Sequence, residues 1–190
     1  MLFQLVQTVY WLALSVWFGG AMFIWLAVQV IHRTVRENNP ILPHVLSVNL
    51  ENQHSTLLAG TIVGNLISAL AKVEIACAAA LLVTIGSQWF LVDLADPSNK
   101  MSAFVRSALF IAATAIAIYD GWVLWPRAVA SRENFIENAD DPDKANPIRE
   151  ELDRFQRESE LLLKIQIFLL LGIILYSGGI TRLVAIHAGG

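Results

Sequence analysis

Long apolar runs, broken by short polar segments, set the pattern of this chain. From Met1 to Ile31 there is no charged side chain. At ~1.5 Å of rise per residue that run exceeds what a helix needs to cross ~30 Å of hydrocarbon, and it predicts a first membrane span over 8–31. Ala13, Gly20 and Ala27 recur every seven residues beside Trp17 and Ile24, a small-residue face suited to close helix packing. Gly19-Gly20 also admits a kink. After His32-Arg33 the run ends, and Asn38-Asn39-Pro40 with Pro43 breaks the helix. A short amphipathic piece, Val45 to Leu50, follows.

The next stretch is longer than a single crossing. Two apolar runs, Leu57 to Ala71 and Ile75 to Val92, are separated only by Lys72-Val73-Glu74, with no Pro or turn cluster between them. One helix of about forty residues would measure ~60 Å, twice the hydrocarbon thickness. The second span is therefore assigned to 73–92, and the first run lies outside it. That run carries Gly60, Gly64 and Ser68 at four-residue spacing, a stripe against which another helix can approach closely. Three placements fit it: a helix lying in the interface, packing on a partner subunit, or one long helix covered partly by lipid and partly by the third loop. The last is favoured.

Trp89-Phe90 suits the interfacial belt, and Asp93 to Lys100 forms a short loop. A third span covers 103–125, with Arg106 at its start, Trp122 and Trp125 at its far end, and Pro126 closing or bending it. Residues 127–160 are charged and polar. Asp140-Asp141-Pro142-Asp143 reads as a solvated turn, and Asn146-Pro147 as a helix start, an Asn cap with Pro in the first helical position. Ile148, Leu152 and Phe155 then follow at helical spacing. Glu150/Arg154, Asp153/Arg157 and Glu160/Lys164 are i,i+4 pairs with the acid first. This amphipathic helix leads into a fourth span over 161–181, ahead of Arg182 and His187.

Composition agrees: 56% of the 190 residues are hydrophobic, against about 45–50% in soluble domains. The fold class read from the pattern is all-α, a single integral membrane four-helix bundle over 1–190 with a long, extended second helix. The N-terminal run lacks a basic flank and an A-x-A site and is too long for a signal peptide, so it is read as retained. The single cysteine, Cys77, allows no intrachain disulfide or cysteine-based metal site and reads as an inert buried side chain. Glu51-Asn52-Gln53-His54 has the E-x-x-H spacing of di-iron bundles, but that chemistry needs two copies and further carboxylates. It reads instead as a polar helix start. No metal, cofactor or catalytic residue is assigned, no nucleotide-binding or zinc motif is present, and the interleaved basic and acidic residues exclude a nucleic-acid patch.

Charge placement orients the chain. Of the thirteen Lys and Arg residues, ten fall on the side of the first and third loops and three on the other. The positive-inside rule counts Lys and Arg, not net charge, and it puts both termini outside and the large loops in the cytoplasm of an inner-membrane protein. Lys72, Glu74, Asp120 and Lys164 then fall at one depth near the cytoplasmic face. Ionisable groups at membrane depth tend to pair or line a cavity, so this cluster reads either as a vestibule, ion path or headgroup site, or as snorkelling side chains and structural ion pairs. Asp120 shares a face with Ala113 and Ala117 and points toward a neighbouring helix.

Trp17-Phe18-Gly19-Gly20, Ala59-Gly60-Thr61-Ile62-Val63-Gly64, Trp125-Pro126-Arg127 and Phe155 ahead of a Leu-rich last span together resemble the transmembrane-protein-205-like family. The resemblance implies a four-span membrane protein whose biochemical activity is not established. The first span also resembles W-x-G-G-like segments of four-span haem or copper membrane proteins, which implies a redox role. Haem needs axial His or Met ligands at depth. Here His32 ends the first span, His44, His54 and His187 lie outside, and Met22 alone is deep enough. Three functions are thus weighed: a non-enzymatic component of the lipid bilayer acting through helix packing and homo-oligomer formation, which leads; a small transporter or channel subunit using Asp120 and Glu74 of the polar cluster at the cytoplasmic face; and a haem-linked redox protein.

Overall fold

The computed structural model describes residues 2–38, 54–90, 100–138 and 141–188. They form helix α1 (Leu2–Asn38), α2 (His54–Gln88), α3 (Lys100–Tyr119), a π-helical turn (Asp120–Leu124), α4 (Trp125–Glu137) and α5 (Pro142–Ala188). The fold is all-α, with no strand among the described residues. Among the described residues, four helices are long and apolar enough to cross a membrane: Phe3–Val35, Leu58–Gln88, Lys100–Glu137 and Asp143–Ser177. Outside the described residues lie the expected piece 45–50, Glu51 to Gln53 of the E-x-x-H motif, and the loop 91–99.

The absence of any breaker explains α1 and α2. Gly19 and Gly20 lie inside a continuous α1, and Lys72-Val73-Glu74 lies inside a continuous α2 of 35 residues.

Two expectations about helix ends are corrected. Pro126 does not close the third span, because the helix runs on to Glu137. A proline inside an α-helix lacks an N–H and clashes with the carbonyl four residues back. Here the preceding turn widens to a π-helix in which the Trp125 N–H reaches the Asp120 carbonyl, five residues back, and such π-turns absorb local misfit within a helix. The last helix also starts earlier than Asn146-Pro147. Asp141 caps it with Pro142 in the first position, and Pro147 lies inside. The Asp141 side chain accepts from the Asp143 N–H at 3.2 Å, and its carbonyl accepts from Ala145 N–H at 2.9 Å. Lys144 Nζ stands 2.9 Å from its carboxylate, and that hydrogen bond holds the Asp141 carboxyl below the usual carboxylate range.

The chain divides into two units. Unit one comprises Met1–Ala21, Lys72–Ala117 and Ile165–Gly190. Its core takes Tyr10, Leu14 and Trp17 from α1, Leu81 and Ile85 from α2, Ala103, Phe110 and Ala113 from α3, and Leu170 and Ile173 from α5. Three- and four-residue spacing makes each set a single helix face. Trp17 meets Phe110 edge to face, centroids 6.4 Å apart and planes at 89°. A Cβ added to Gly172 would stand 3.0 Å from Leu109, a measure of how closely α3 and α5 approach. The outward faces carry Leu5, Leu12, Leu82, Val83, Phe104 and Phe168. Such an apolar outer surface suits lipid, where packing and interhelical hydrogen bonds hold helices together.

Unit two comprises Met22–Ala71 and Ile118–Lys164. The first half of α2 meets α4 through its small residues: a Cβ on Gly64 would collide with the Trp125 ring, and one on Gly60 would come within 2.7 Å of Arg132 Nη2. Helices α4 and α5 form a hairpin around buried Phe135 and Ala145, with Ile148 and Leu152 packed on them. Ser131 donates to Glu151 at 3.3 Å, Tyr119 to Glu158 at 3.1 Å, and Gln156 Nε2 lies 2.8 Å from His32 Nε2.

Candidate functional site: a polar seam inside unit one

The core faces of unit one are not uniformly apolar. On α2 the buried stripe includes Glu74, Thr84 and Gln88; on α3 it includes Arg106; on α5, Gln166 and Ser177. Glu74 is 5% exposed and Arg106 0%, so one acid and one base are enclosed in a unit built from helices long and apolar enough to cross a membrane. Buried polar groups are almost always hydrogen-bonded, and here the bonds join different helices at three levels.

At the first level Gln88 Nε2 on α2 donates to Gln7 Oε1 on α1 at 3.1 Å. At the second, the Arg106 guanidinium on α3 lies 5.8 Å from the Tyr10 ring centroid on α1, within cation–π range. The Tyr10 hydroxyl bonds to Ser177 on α5. Since Ser177 donates its own proton to the Ile173 carbonyl at 2.6 Å, Tyr10 is the donor in that pair. At the third level the carboxyl of Glu74 on α2 accepts from Trp17 Nε1 on α1 at 3.1 Å and from Gln166 Nε2 on α5 at 2.5 Å. Both bonds end on Oε1. Along α1 these levels fall at residues 7, 10 and 17, about 15 Å of rise, or roughly half the hydrocarbon thickness. Thr84 is satisfied within its own helix, by the Ala80 and Leu81 carbonyls at 2.9 and 3.1 Å.

Of the four charged residues expected at one depth, only Glu74 is buried. Lys72 is exposed. Two residues turn a helix by ~200° at 3.6 per turn, so the pair faces opposite ways. Lys72 and Glu74 belong to unit one, Asp120 and Lys164 to unit two. Asp120 opens the π turn, half-buried, with Ser159 as its hydrogen-bonding neighbour and Glu158 nearby. Lys164 pairs with Glu160 at 2.8 Å, one of the three expected i,i+4 pairs.

Among the small residues, Ala13 is buried in unit one, and Gly20, Ala27 and Ser68 are half-buried. The Gly60 and Gly64 positions face Arg132 and Trp125 of the same chain. Arg106, Tyr10, Gln166 and Ser177 were not picked out as site residues from the sequence. The available signal is periodic: Arg106 shares its face with Ala103, Phe110, Ala113 and Ala117, and Gln166 shares its face with Leu170, Ile173 and Ser177. Among the described residues no three His, Cys, Asp or Glu side chains gather into a metal-holding group. Cys77 is a buried free thiol.

Compared with protein-family models, with curated proteins and with solved structures, the chain matches none of them.

Proposed function

We propose that this multi-pass membrane protein is a small transporter or channel subunit whose working element is the polar seam of unit one. The observation that carries the reading is Glu74, a carboxyl 5% exposed and held by hydrogen bonds from two other helices. An ionisable group at membrane depth is costly, by ~2.5–3.5 kcal/mol at the bilayer centre on insertion scales and less near the interface, and such groups characteristically mark ion pathways and proton relays. The seam adds the buried base Arg106 and the neutral polar side chains of Gln7, Gln88, Tyr10, Gln166 and Ser177, set at three levels over about 15 Å of α1 in an otherwise apolar bundle. The ten-to-three bias of Lys and Arg supports an inner-membrane setting with both termini outside and the charged connections in the cytoplasm. Self-association through Gly60 and Gly64 is less well supported, since Arg132 and Trp125 of the same chain occupy that stripe.

The test is reconstitution into sealed liposomes carrying, in turn, a sodium, potassium, chloride or proton gradient. The wild-type protein is expected to dissipate one of these faster than protein-free liposomes, at a rate changed by Glu74→Gln. Decay equal to that of empty liposomes for all four contradicts the reading.

A further inference from the structure

We infer that the ion handled at the seam is the proton, taken up and released by the Glu74 carboxyl clamped between Trp17 and Gln166. This deepens the transport reading and rests on it for the movement of the ion, though not for its binding.

Three observations converge on the proton. The first is the polarity of the neighbours. Metal cations such as calcium want a shell of several oxygen ligands, whereas Trp17 and Gln166 aim N–H donors at Glu74 Oε1, which repel a cation and hold an anion. The second is the inventory of the seam. Arg106 of α3 lies against the Tyr10 ring, at another level of the seam, and Gln7, Gln88, Gln166 and Ser177 do not titrate. Tyr10 on α1 and Cys77, one turn from Glu74 on α2, lose protons only well above neutrality in their ordinary state. Lys72 on α2 is exposed, and α5 brings no charged side chain between Ile165 and Ser177. Glu74 is thus the group in the seam suited to carry a proton. The third is geometry. The clamp joins three helices at one oxygen. As an anion Glu74 holds α1 and α5 through two charge-assisted bonds; as an acid it brings no charge into the apolar bundle but weakens that hold. Protonation therefore changes the link between helices, which is what a coupling step requires.

The experiment is infrared spectroscopy of the protein in liposomes as pH is lowered, with proton flux measured on the same preparation. Wild type is expected to gain the carbonyl stretch of a protonated carboxylic acid, a band absent in Glu74→Gln and present at a shifted frequency in Glu74→Asp. Gln166→Leu keeps the acid and removes one donor to its charged form, so it should raise proton affinity about tenfold, a shift of about one pH unit. That arm remains informative where Glu74→Gln fails to fold. A titrating band unchanged in Glu74→Gln, or a midpoint unmoved by Gln166→Leu, overturns the inference. A Glu74-dependent band with none of the four gradients dissipated faster than in empty liposomes leaves the binding site standing and overturns the transport reading. A gradient of another ion dissipated at a rate changed by Glu74→Gln, with no Glu74-dependent band, does the reverse.

Discussion

Trp17 on α1 donates its indole N–H to the carboxyl of Glu74 on α2 across 3.1 Å. The same indole stands edge-on to Phe110 of α3, and the same carboxyl oxygen accepts from Gln166 of α5. One hydrogen bond thus sits where all four helical segments of unit one meet, which makes it the place to ask what is structural and what is functional in the seam.

Trp17→Phe keeps an aromatic ring beside Phe110 but leaves Glu74 one donor short. A buried acceptor deprived of a partner costs about 1–3 kcal/mol, with a further loss from the vacated volume. Stability in detergent should fall by that much. In a Glu74→Leu background the same replacement strands no acceptor, so its effect should shrink, with a coupling of about 0.5–3 kcal/mol in a double-mutant cycle. Strict additivity would show that the bond contributes nothing.

Gly64→Leu places a side chain where the Trp125 ring already lies. Overpacking of this kind costs about 1–3 kcal/mol, visible as a lower melting temperature. Trp125→Ala in the same chain should restore part of the loss. The detergent-solubilised mass should not change, because the groove is filled from within. A shift in mass would return the stripe to a role between subunits.

At the start of α5 the pH dependence has a definite sign. The folded-state value of Asp141 lies below its ordinary one, the Lys144 hydrogen bond being the largest cause. Its contribution is therefore whole above the unfolded value of about 3.9 and is lost as pH falls through the lower folded value. Hydrogen exchange of the Asp143 and Lys144 amides, corrected for intrinsic rates, should stay slow from neutral pH to about pH 4 and accelerate below. Asp141→Asn, which retains a capping oxygen, should remove that acid sensitivity.

The crossings were legible in the sequence for a physical reason: a backbone in lipid must satisfy its own hydrogen bonds, so a charge-free run such as Met1 to Ile31 has little choice but helix. The same logic joins the apolar runs on either side of Lys72-Val73-Glu74, which α2 bears out as far as Gln88. Of the two readings of Pro126, closing the span fails because the device that lets the helix continue is a widened backbone turn, and no side-chain pattern announces one. Asn146-Pro147 and Asp141-Pro142 both fit a cap followed by proline. The second prevails, with an acid that reaches the Asp143 N–H and Lys144 together. Of the site, the sequence marks Glu74 only as one of four charged residues at one depth, with Asp120 the leading candidate among them, while Tyr10, Gln166 and Ser177 are neutral residues in apolar runs. They gain meaning only once their helix faces are known to be buried.

Sidedness tests the account most directly, because the seam lies within the membrane only if α1, α2 and the α3–α4 helix are three successive crossings. Cys77 is the single cysteine, so a Cys77→Ser background gives clean labelling. In it, a cysteine placed at Asn138 and another at the N-terminus are offered an impermeant maleimide on intact cells. The N-terminal cysteine should label at once and Asn138→Cys only after lysis. Labelling of both from the same side would contradict three crossings between them, and with them the place of Glu74 inside the bilayer.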